Sequence, residues 1–192
     1  MQLQNHFYVI RHGQSENNIL GIESCRIETQ TQYGLTEDGR EQVQNALSVL
    51  PKLDAIYTSP YRRTIETAQI IAEAHALELS IEYLLHEFKL PSELDQQPYE
   101  IAEAIIHAPE NDFNQTPMGD GECFDDLYTR LEKTLLDLDK KHQNHTILLV
   151  THGSPVEACI QIMKGKNTGF GPFEDLPNNA EVVHLNSLNL IA

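Results

Sequence analysis

Two apolar runs in this chain each end in a His-Gly pair, and this repetition constrains the fold more than any other feature. The first run, Tyr8–Ile10, leads into Arg11-His12-Gly13, and the second, Ile147–Val150, leads into Thr151-His152-Gly153. An apolar run that stops at glycine is typical of a buried strand that ends in a turn. Ligands of open α/β sheets bind outside the carboxyl ends of the strands. The pattern therefore predicts two histidines, one beside an arginine, at an anion-binding edge of a sheet.

The rest of the chain alternates between strand and helix patterns. Predicted strands are Phe7–Ile10, Ala55–Thr58, Ser80–Leu84 and Ile147–Thr151, with a late strand or hairpin from Glu181–Leu185 and Leu188–Ile191. Predicted helices begin at Thr36 and at Ser59-Pro60 and span Tyr99–His107, Phe124–Lys141 and Pro155–Met163. This alternation predicts a three-layer α/β/α fold with a mostly parallel central sheet. We expect a single domain over residues 1–192, in which the irregular segment 87–122 covers the site.

Charge and composition narrow the possible partners. The formal net charge is −16, which disfavours binding to nucleic acid or to an anionic membrane through a broad surface. The sequence shows no signal peptide and no apolar stretch of the roughly 18 residues that span a bilayer. Its three cysteines have no C-x-x-C spacing, which is typical of reduced thiols. We therefore expect a cytoplasmic protein, whose oligomeric state the sequence does not define.

Arginines are few, and two of them lie where a helix is predicted to begin. Arg62 and Arg63 follow Ser59-Pro60. A cation is unfavourable near the positive end of a helix, but free backbone N–H groups and arginine forks together suit a phosphate. With two histidines nearby, one neutral imidazole can attack phosphorus while the second, held protonated, hydrogen-bonds the transferring group. A carboxylic acid must still protonate the leaving oxygen.

These motifs together resemble the histidine phosphatase superfamily, in the branch that contains cofactor-dependent phosphoglycerate mutase. The matches, in the family's order, are Arg11, His12, Gly13, Ser15 and Asn18; Leu35, Thr36, Gly39 and Gln42; Ser59, Arg63, Thr67 and Ala68; Gly121-Glu122-Cys123; and Thr151-His152-Gly153. Two departures are Cys123, where the family usually has serine, and the segment that follows Glu87. A separate branch places aspartate directly after the second histidine, but this chain has Gly153 there.

The resemblance implies a phosphatase that needs no cofactor or metal and acts on a small phosphorylated substrate. His12 is then the nucleophile and His152 the second catalytic histidine. The implied phosphate-binding residues are Arg11, Asn18, Arg63 and Gly153. The general acid is Glu87, from Leu85-His86-Glu87, with Glu93 as a competitor.

Three alternatives stay open at this stage. A phosphoglycerate-mutase-type transferase uses the same residues, but the mutases close their site with a long insertion, whereas only residues 88–120 separate Glu87 from Gly121. A phosphoprotein-binding module could retain the pocket without catalysis. A metal centre could use His6, His12, His152 and His184, although no His-x-His or His-Glu-x-x-His spacing occurs.

Overall fold

The computed structural model describes residues 1–108, 113–165 and 176–190. Its strands are β1 (His6–Arg11), β2 (Ala55–Thr58), β3 (Leu79–Ile81), β4 (Thr146–Thr151) and β5 (Val182–His184). They form one sheet in the order β3-β2-β4-β1-β5. All neighbouring pairs are parallel except β1 with β5. The predicted α/β fold with a mostly parallel sheet is thus confirmed.

Helices cover both faces of the sheet because the central strands are apolar on both sides. The helices are α1 (Glu16–Leu20), α2 (Glu37–Ala46), α3 (Arg62–His75), α4 (Tyr99–Ile106), α5 (Phe124–Lys141) and α6 (Gly153–Met163). Along β4, Ile147 and Leu149 belong to the core beneath α5 and α6. Leu148 and Val150 belong to the opposite core beneath α2 and α3. The period of two along a strand therefore divides the molecule into three layers.

Several element boundaries differ from the prediction. The third strand is shorter and earlier than 80–84, and a 3-10 turn at Tyr83–Leu85 follows it. Residues 188–190 do not form a second hairpin strand but belong to a 3-10 helix, Leu185–Leu190, while Ile191 lies outside the described residues. The helix expected at Ser59-Pro60 begins at Arg62, and the helix expected at Pro155 begins at Gly153. The short helix α1, Glu16–Leu20, was not among the predicted helices.

The strand register brings the chemical motifs together. Arg11 lies opposite Thr151, and Thr58 lies opposite Val150. The residues that follow these strands, His12, His152 and Ser59, therefore leave the sheet side by side at its carboxyl edge.

Two glycines allow the turn after β1 to lie directly against α2. A Cβ at Gly39 would lie 2.0 Å from the Gln14 carbonyl oxygen, and one at Gly13 would lie 2.4 Å from the Gly39 oxygen. No other residue fits at such distances. Thr36 caps α2 by accepting a hydrogen bond from Gly39 N at 3.0 Å. This contact fixes the backbone that carries His12.

None of the helices in the described ranges is both long and apolar enough to cross a bilayer. Cys25, Cys123 and Cys159 are buried free thiols.

Candidate active site

His12 follows β1 and presents one unprotonated nitrogen. Its Nδ1–H donates to the Gly13 carbonyl oxygen at 2.8 Å. Its Nε2 accepts a hydrogen bond from Arg63 Nε at 3.1 Å. Since a guanidinium can only donate, Nε2 must carry a lone pair. The ring is thus a neutral imidazole with Nε2 as its basic nitrogen.

Arg63 lies in the first turn of α3 and is the centre of the site. It is 2% exposed. Its guanidinium donates to Ser24 Oγ and Ser24 O, at 3.2 and 2.8 Å, as well as to both histidines. Its neighbour Arg62 faces outward and pairs with Glu66 at 2.7 Å. The two consecutive arginines therefore have different environments, and only Arg63 faces the histidines.

His152 is fully buried next to His12. The two ring centroids are 5.3 Å apart, with the rings edge to face. His152 Nδ1 accepts from Arg63 at 3.0 Å, so the ring proton is on Nε2, which donates to Ser59 Oγ at 2.8 Å. The expectation that His152 is held protonated is wrong for this arrangement, because Arg63 occupies its second nitrogen.

Burial and positive charge act on both histidines in the same direction. Desolvation is the largest cause, and it lowers the pKa of His12 well below its usual value. The charges of Arg63 and Arg11 lower it further. Burial is also the largest cause that lowers the pKa of His152, and the charge of Arg63 is the second. Both rings are therefore neutral near pH 7.

A cavity of about 220 Å³ opens beside His12 and Arg63. Arg11 and Asn18, both expected to bind phosphate, also line it. Arg11 donates to the Pro177 carbonyl oxygen at 2.6 Å, and its buried Nε has no hydrogen-bond partner among the residues that the structure describes. Asn18 Nδ2 donates to the Tyr99 hydroxyl at 3.0 Å, which connects α1 to α4. His152 lies behind Arg63 and is not a lining residue.

Glu87, the expected general acid, lines the same cavity. Its Oε2 accepts from Gly153 N at 3.2 Å and its Oε1 from Phe88 N at 2.8 Å. The competitor Glu93 lies exposed on a 3-10 turn and does not line the cavity. Gly153, expected to bind phosphate, does not line it either, and its N–H is engaged by Glu87.

A buried ion pair, which sequence reasoning missed, holds the Glu87 segment. Arg130 of α5 and Glu122 lie 2.8 Å apart, and each is less than a tenth exposed. Arg130 also donates to the Leu84 and Glu87 carbonyl oxygens, at 2.6 and 3.2 Å. Glu122 accepts from Lys89 N at 2.9 Å. The pair thus ties α5 to the backbone on both sides of Glu87.

Glu23 is a second carboxyl group of the cavity that sequence reasoning missed. It lines the cavity with Ser24, Glu87 and Glu103. Burial, followed by the charge of Glu87, raises the pKa of Glu23 to about 8. No sequence motif singles out Glu23, because a lone loop carboxylate has no periodic signal.

Cys123 takes over the helix-capping position of the serine that it replaces. It precedes α5, and its N–H and its thiol both contact Asp126 Oδ2, at 3.1 and 3.2 Å. The thiol is a weak donor, so the cap is retained in geometry with a weaker side-chain hydrogen bond.

The four histidines considered as metal ligands do not converge. His6 lies at the start of β1, at the opposite end from His12, and its ring centroid is 5.9 Å from that of His184. His12 and His152 direct their nitrogens at Gly13, Arg63 and Ser59. Among the described residues, no group of three or more His, Cys, Asp or Glu side chains could hold a metal ion.

The fold and the site define an α/β protein with a buried His-Arg-His cluster at the carboxyl edge of its sheet. The family model of the histidine phosphatase superfamily (branch 1) matches residues 7–187, so the chain belongs to this family. The resemblance seen in the sequence is thus confirmed.

Named relatives include both mutase-like proteins and phosphatases. The phosphoglycerate mutase-like protein 4 of Arabidopsis thaliana is 32% identical over 80% of this chain and 68% of its own length. Phosphoserine phosphatase 1 of Hydrogenobacter thermophilus is 29% identical over 82% of this chain and 75% of its own. A solved mycobacterial glucosyl-3-phosphoglycerate phosphatase complexed with VO3 has a TM-score of 0.76 at 22% identity, covering 92% of this chain and 90% of that one. This last likeness concerns the fold alone.

Proposed function

We propose that this protein is a metal-independent phosphatase that hydrolyses a small phosphate monoester through a phosphohistidine at His12. The observation that carries the proposal is the His12 imidazole, whose Nε2 is kept unprotonated beside Arg63. A neutral imidazole with a fixed lone pair is a nucleophile, and an adjacent guanidinium stabilises the charge on a transferring phosphoryl group.

The first step transfers the phosphoryl group to His12. The Arg63 Nε–H turns from Nε2 to a phosphoryl oxygen, which frees the Nε2 lone pair. Nε2 then attacks phosphorus, the ester P–O bond breaks, and Glu87 in its protonated form gives its proton to the leaving oxygen. Arg63, Arg11 and the Asn18 amide face the phosphoryl oxygens and offset their charge. His152 acts through Arg63 rather than on the phosphate directly. Its Nδ1 accepts a hydrogen bond from the Arg63 guanidinium, so a phosphate oxygen could contact Nδ1 only by displacing that guanidinium.

The second step returns the enzyme to its starting state. Glu87, now ionised, takes a proton from water, and the oxygen of that water forms a bond to phosphorus as the P–N bond breaks. Inorganic phosphate leaves and His12 is again neutral. Arginines supply the positive charge throughout, so the scheme requires no metal ion. We place this reaction in the cytoplasm, with no nucleic acid or membrane as partner.

A mutase of the phosphoglycerate type is the second candidate, because the 32% identical relative is named as mutase-like. A mutase must protect its phosphoenzyme from water while the intermediate reorients. The segment between Glu87 and Gly121 spans only residues 88–120, and Leu176, which lines the cavity, is 43% exposed. This cover favours attack by water over attack by a second acceptor.

The nucleophile is tested with His12→Ala and the matched control His6→Ala, which changes an exposed histidine at the other end of β1. We expect His12→Ala to abolish phosphate release and His6→Ala to retain it. The acid-labile, base-stable phosphoenzyme should form only when His12 is present. A chelator should not inhibit. Turnover by the His12→Ala variant, or loss of activity with the chelator alone, would contradict the mechanism.

Hydrolysis and mutase activity are separated in one assay. The enzyme is mixed with 3-phosphoglycerate and a bisphosphoglycerate primer, and both 2-phosphoglycerate and free phosphate are followed. Isomerisation much faster than phosphate release would establish the mutase instead.

A further inference from the structure

The cavity that holds the proposed phosphate site also contains carboxyl groups. Glu23 and Glu103 line it, in addition to the acid Glu87. No lysine is present among the described lining residues, and the two arginines, Arg11 and Arg63, line the cavity with His12, where the phosphate is expected. The described lining therefore contains two more carboxyl groups than the proposed phosphatase chemistry uses.

Within the part of the chain that the structure describes, neither of the two additional carboxyl groups forms an ion pair. The Glu23 side chain makes no hydrogen bond or ion pair with any residue that the structure describes, and the same holds for Glu103. Asp95, by contrast, accepts hydrogen bonds from Cys25 N and Thr29 Oγ1 at 2.9 and 3.0 Å. Carboxylates that face a cavity without a partner cost free energy unless something else neutralises them.

Aromatic rings complete the surroundings of these carboxylates. Phe88, Phe124 and Tyr99 line the cavity together with Glu23 and Glu103. Carboxylates and aromatic rings that line one cavity can bind an ammonium group, through charge and through cation–π attraction. The same surroundings disfavour a substrate carboxylate, because like charges repel.

We propose that the substrate is a phosphate monoester of an amino alcohol, with its phosphate at His12 and its ammonium group between Glu23 and Glu103. The inference rests on the proposed phosphatase function and adds the chemical class of the alcohol. Glu23 and Glu103 are then residues that determine specificity, while Glu87 keeps its role at the leaving oxygen.

The protonation of Glu23 agrees with this assignment. Its pKa is raised first by burial and then by Glu87, with further contributions from Glu103 and Asp95, whereas Arg63 lowers it. A positively charged ammonium group bound among these carboxylates offsets the repulsion from Glu87, Glu103 and Asp95 that raises the pKa of Glu23. Its binding therefore favours the ionised form of Glu23.

The test compares substrates that differ only in charge. 2-Aminoethyl phosphate is matched with propyl phosphate, and 3-aminopropyl phosphate with butyl phosphate, since a methyl group replaces the ammonium. 2-Phosphoglycolate supplies the carboxylate, and an aryl phosphate reports the phosphatase reaction itself. If the ammonium group makes a charge-assisted contact in the cavity, kcat/KM for at least one amine should exceed kcat/KM for its methyl counterpart by about tenfold or more. 2-Phosphoglycolate should be the slowest.

Two variants locate the effect. Glu23→Gln should bring the amine-to-methyl ratio close to one. Glu103→Gln, which changes an exposed carboxylate, should lower the ratio by about two- to fivefold. The matched control is Glu100→Gln, since Glu100 is exposed on the same helix α4 but does not line the cavity. It should leave the ratio unchanged.

The outcomes separate this inference from the proposed function. If no phosphate ester is hydrolysed, the phosphatase function fails. If the aryl phosphate is hydrolysed but neither amine exceeds its methyl counterpart, the function stands and the substrate class is wrong. The substrate class is also wrong if Glu100→Gln lowers the ratio as much as Glu103→Gln does.

Discussion

Replacing Arg130 by methionine should destabilise the protein and misplace the general acid. Arg130 lies on α5 and is 9% exposed. It pairs with Glu122 at 2.8 Å and donates to the carbonyl oxygens of Leu84 and Glu87. Methionine fills a similar volume but donates no hydrogen bond. The variant therefore leaves the buried Glu122 carboxylate with Lys89 N as its remaining donor and removes a donor from two backbone carbonyls.

The magnitude follows from the burial of both partners. Removing one partner of a buried pair costs about 3–5 kcal/mol, because the other charge stays in a site that cannot solvate it. For a chain of this size, each kcal/mol corresponds to about 2–4 °C in Tm. The expected fall in Tm is therefore about 6–20 °C. Adding Glu122→Gln should recover part of this loss, because the double variant buries no unpaired charge.

Thermal unfolding, followed by circular dichroism, measures the effect. The matched control is Lys133→Met on the same helix, which breaks an exposed pair with Asp137. An exposed pair contributes about 0–1 kcal/mol, so this control should change Tm by at most a few degrees. Kinetics provide the second readout, with alkyl phosphates expected to slow more than an activated aryl phosphate. Equal Tm values for Arg130→Met and Lys133→Met, or equal slowing of both substrates, would refute the reasoning.

Three further predictions follow from the site and its supporting turn. Glu87→Gln should slow alkyl phosphates much more than an aryl phosphate, whose leaving group needs little protonation, and equal slowing in steady-state assays would remove Glu87 as the acid. Gly39→Ala should lower Tm and activity together, because its Cβ would lie 2.0 Å from a carbonyl oxygen of the turn after His12, and an unchanged Tm would show that this contact relaxes freely. Glu23→Gln should raise Tm. Because burial raises the pKa of Glu23 to about 8, the folded chain keeps a proton that the unfolded chain loses near pH 4.5, so stability falls as pH rises from 4.5 to 8. The Tm advantage of the glutamine variant should grow over that range and then level off; a constant difference across pH would contradict this sign.

The placement of the histidines was predictable because it depends on strand ends. Parallel strands that terminate in the same register deliver their next residues to one edge, and both runs that precede His12 and His152 are apolar enough to be recognised as buried strands. Arg63 was predictable from its position at a helix start. The family motifs then singled out Glu87, whereas its competitor Glu93 is exposed on the 3-10 turn Ser92–Leu94 and does not line the cavity.

Other features depend on tertiary contacts that leave no pattern in the sequence. The hydrophobic residues near 188–191 suggested a strand, but β5 is the edge strand, and the residues that follow form a 3-10 helix against α6 and β1. The Glu122–Arg130 pair joins a loop to a helix face that otherwise shows an ordinary leucine stripe. The pKa of Glu23 is raised first by burial and then by the charge of Glu87, and both causes arise only when distant parts of the chain fold together.

The arrangement around Arg63 explains why two neutral histidines can stand side by side at a site for an anion. One guanidinium donates to Nε2 of His12 and to Nδ1 of His152, so it fixes one tautomer in each ring. The remaining ring protons are engaged by Gly13 O and Ser59 Oγ. The nitrogen that must attack phosphorus is therefore unprotonated before the substrate binds, and the positive charge that the phosphate requires lies on Arg63 rather than on either imidazole. Protonating either ring would remove an acceptor from Arg63 and place two positive charges in contact. In the proposed reaction, the same residue thus binds the anion and keeps the nucleophile in its reactive form.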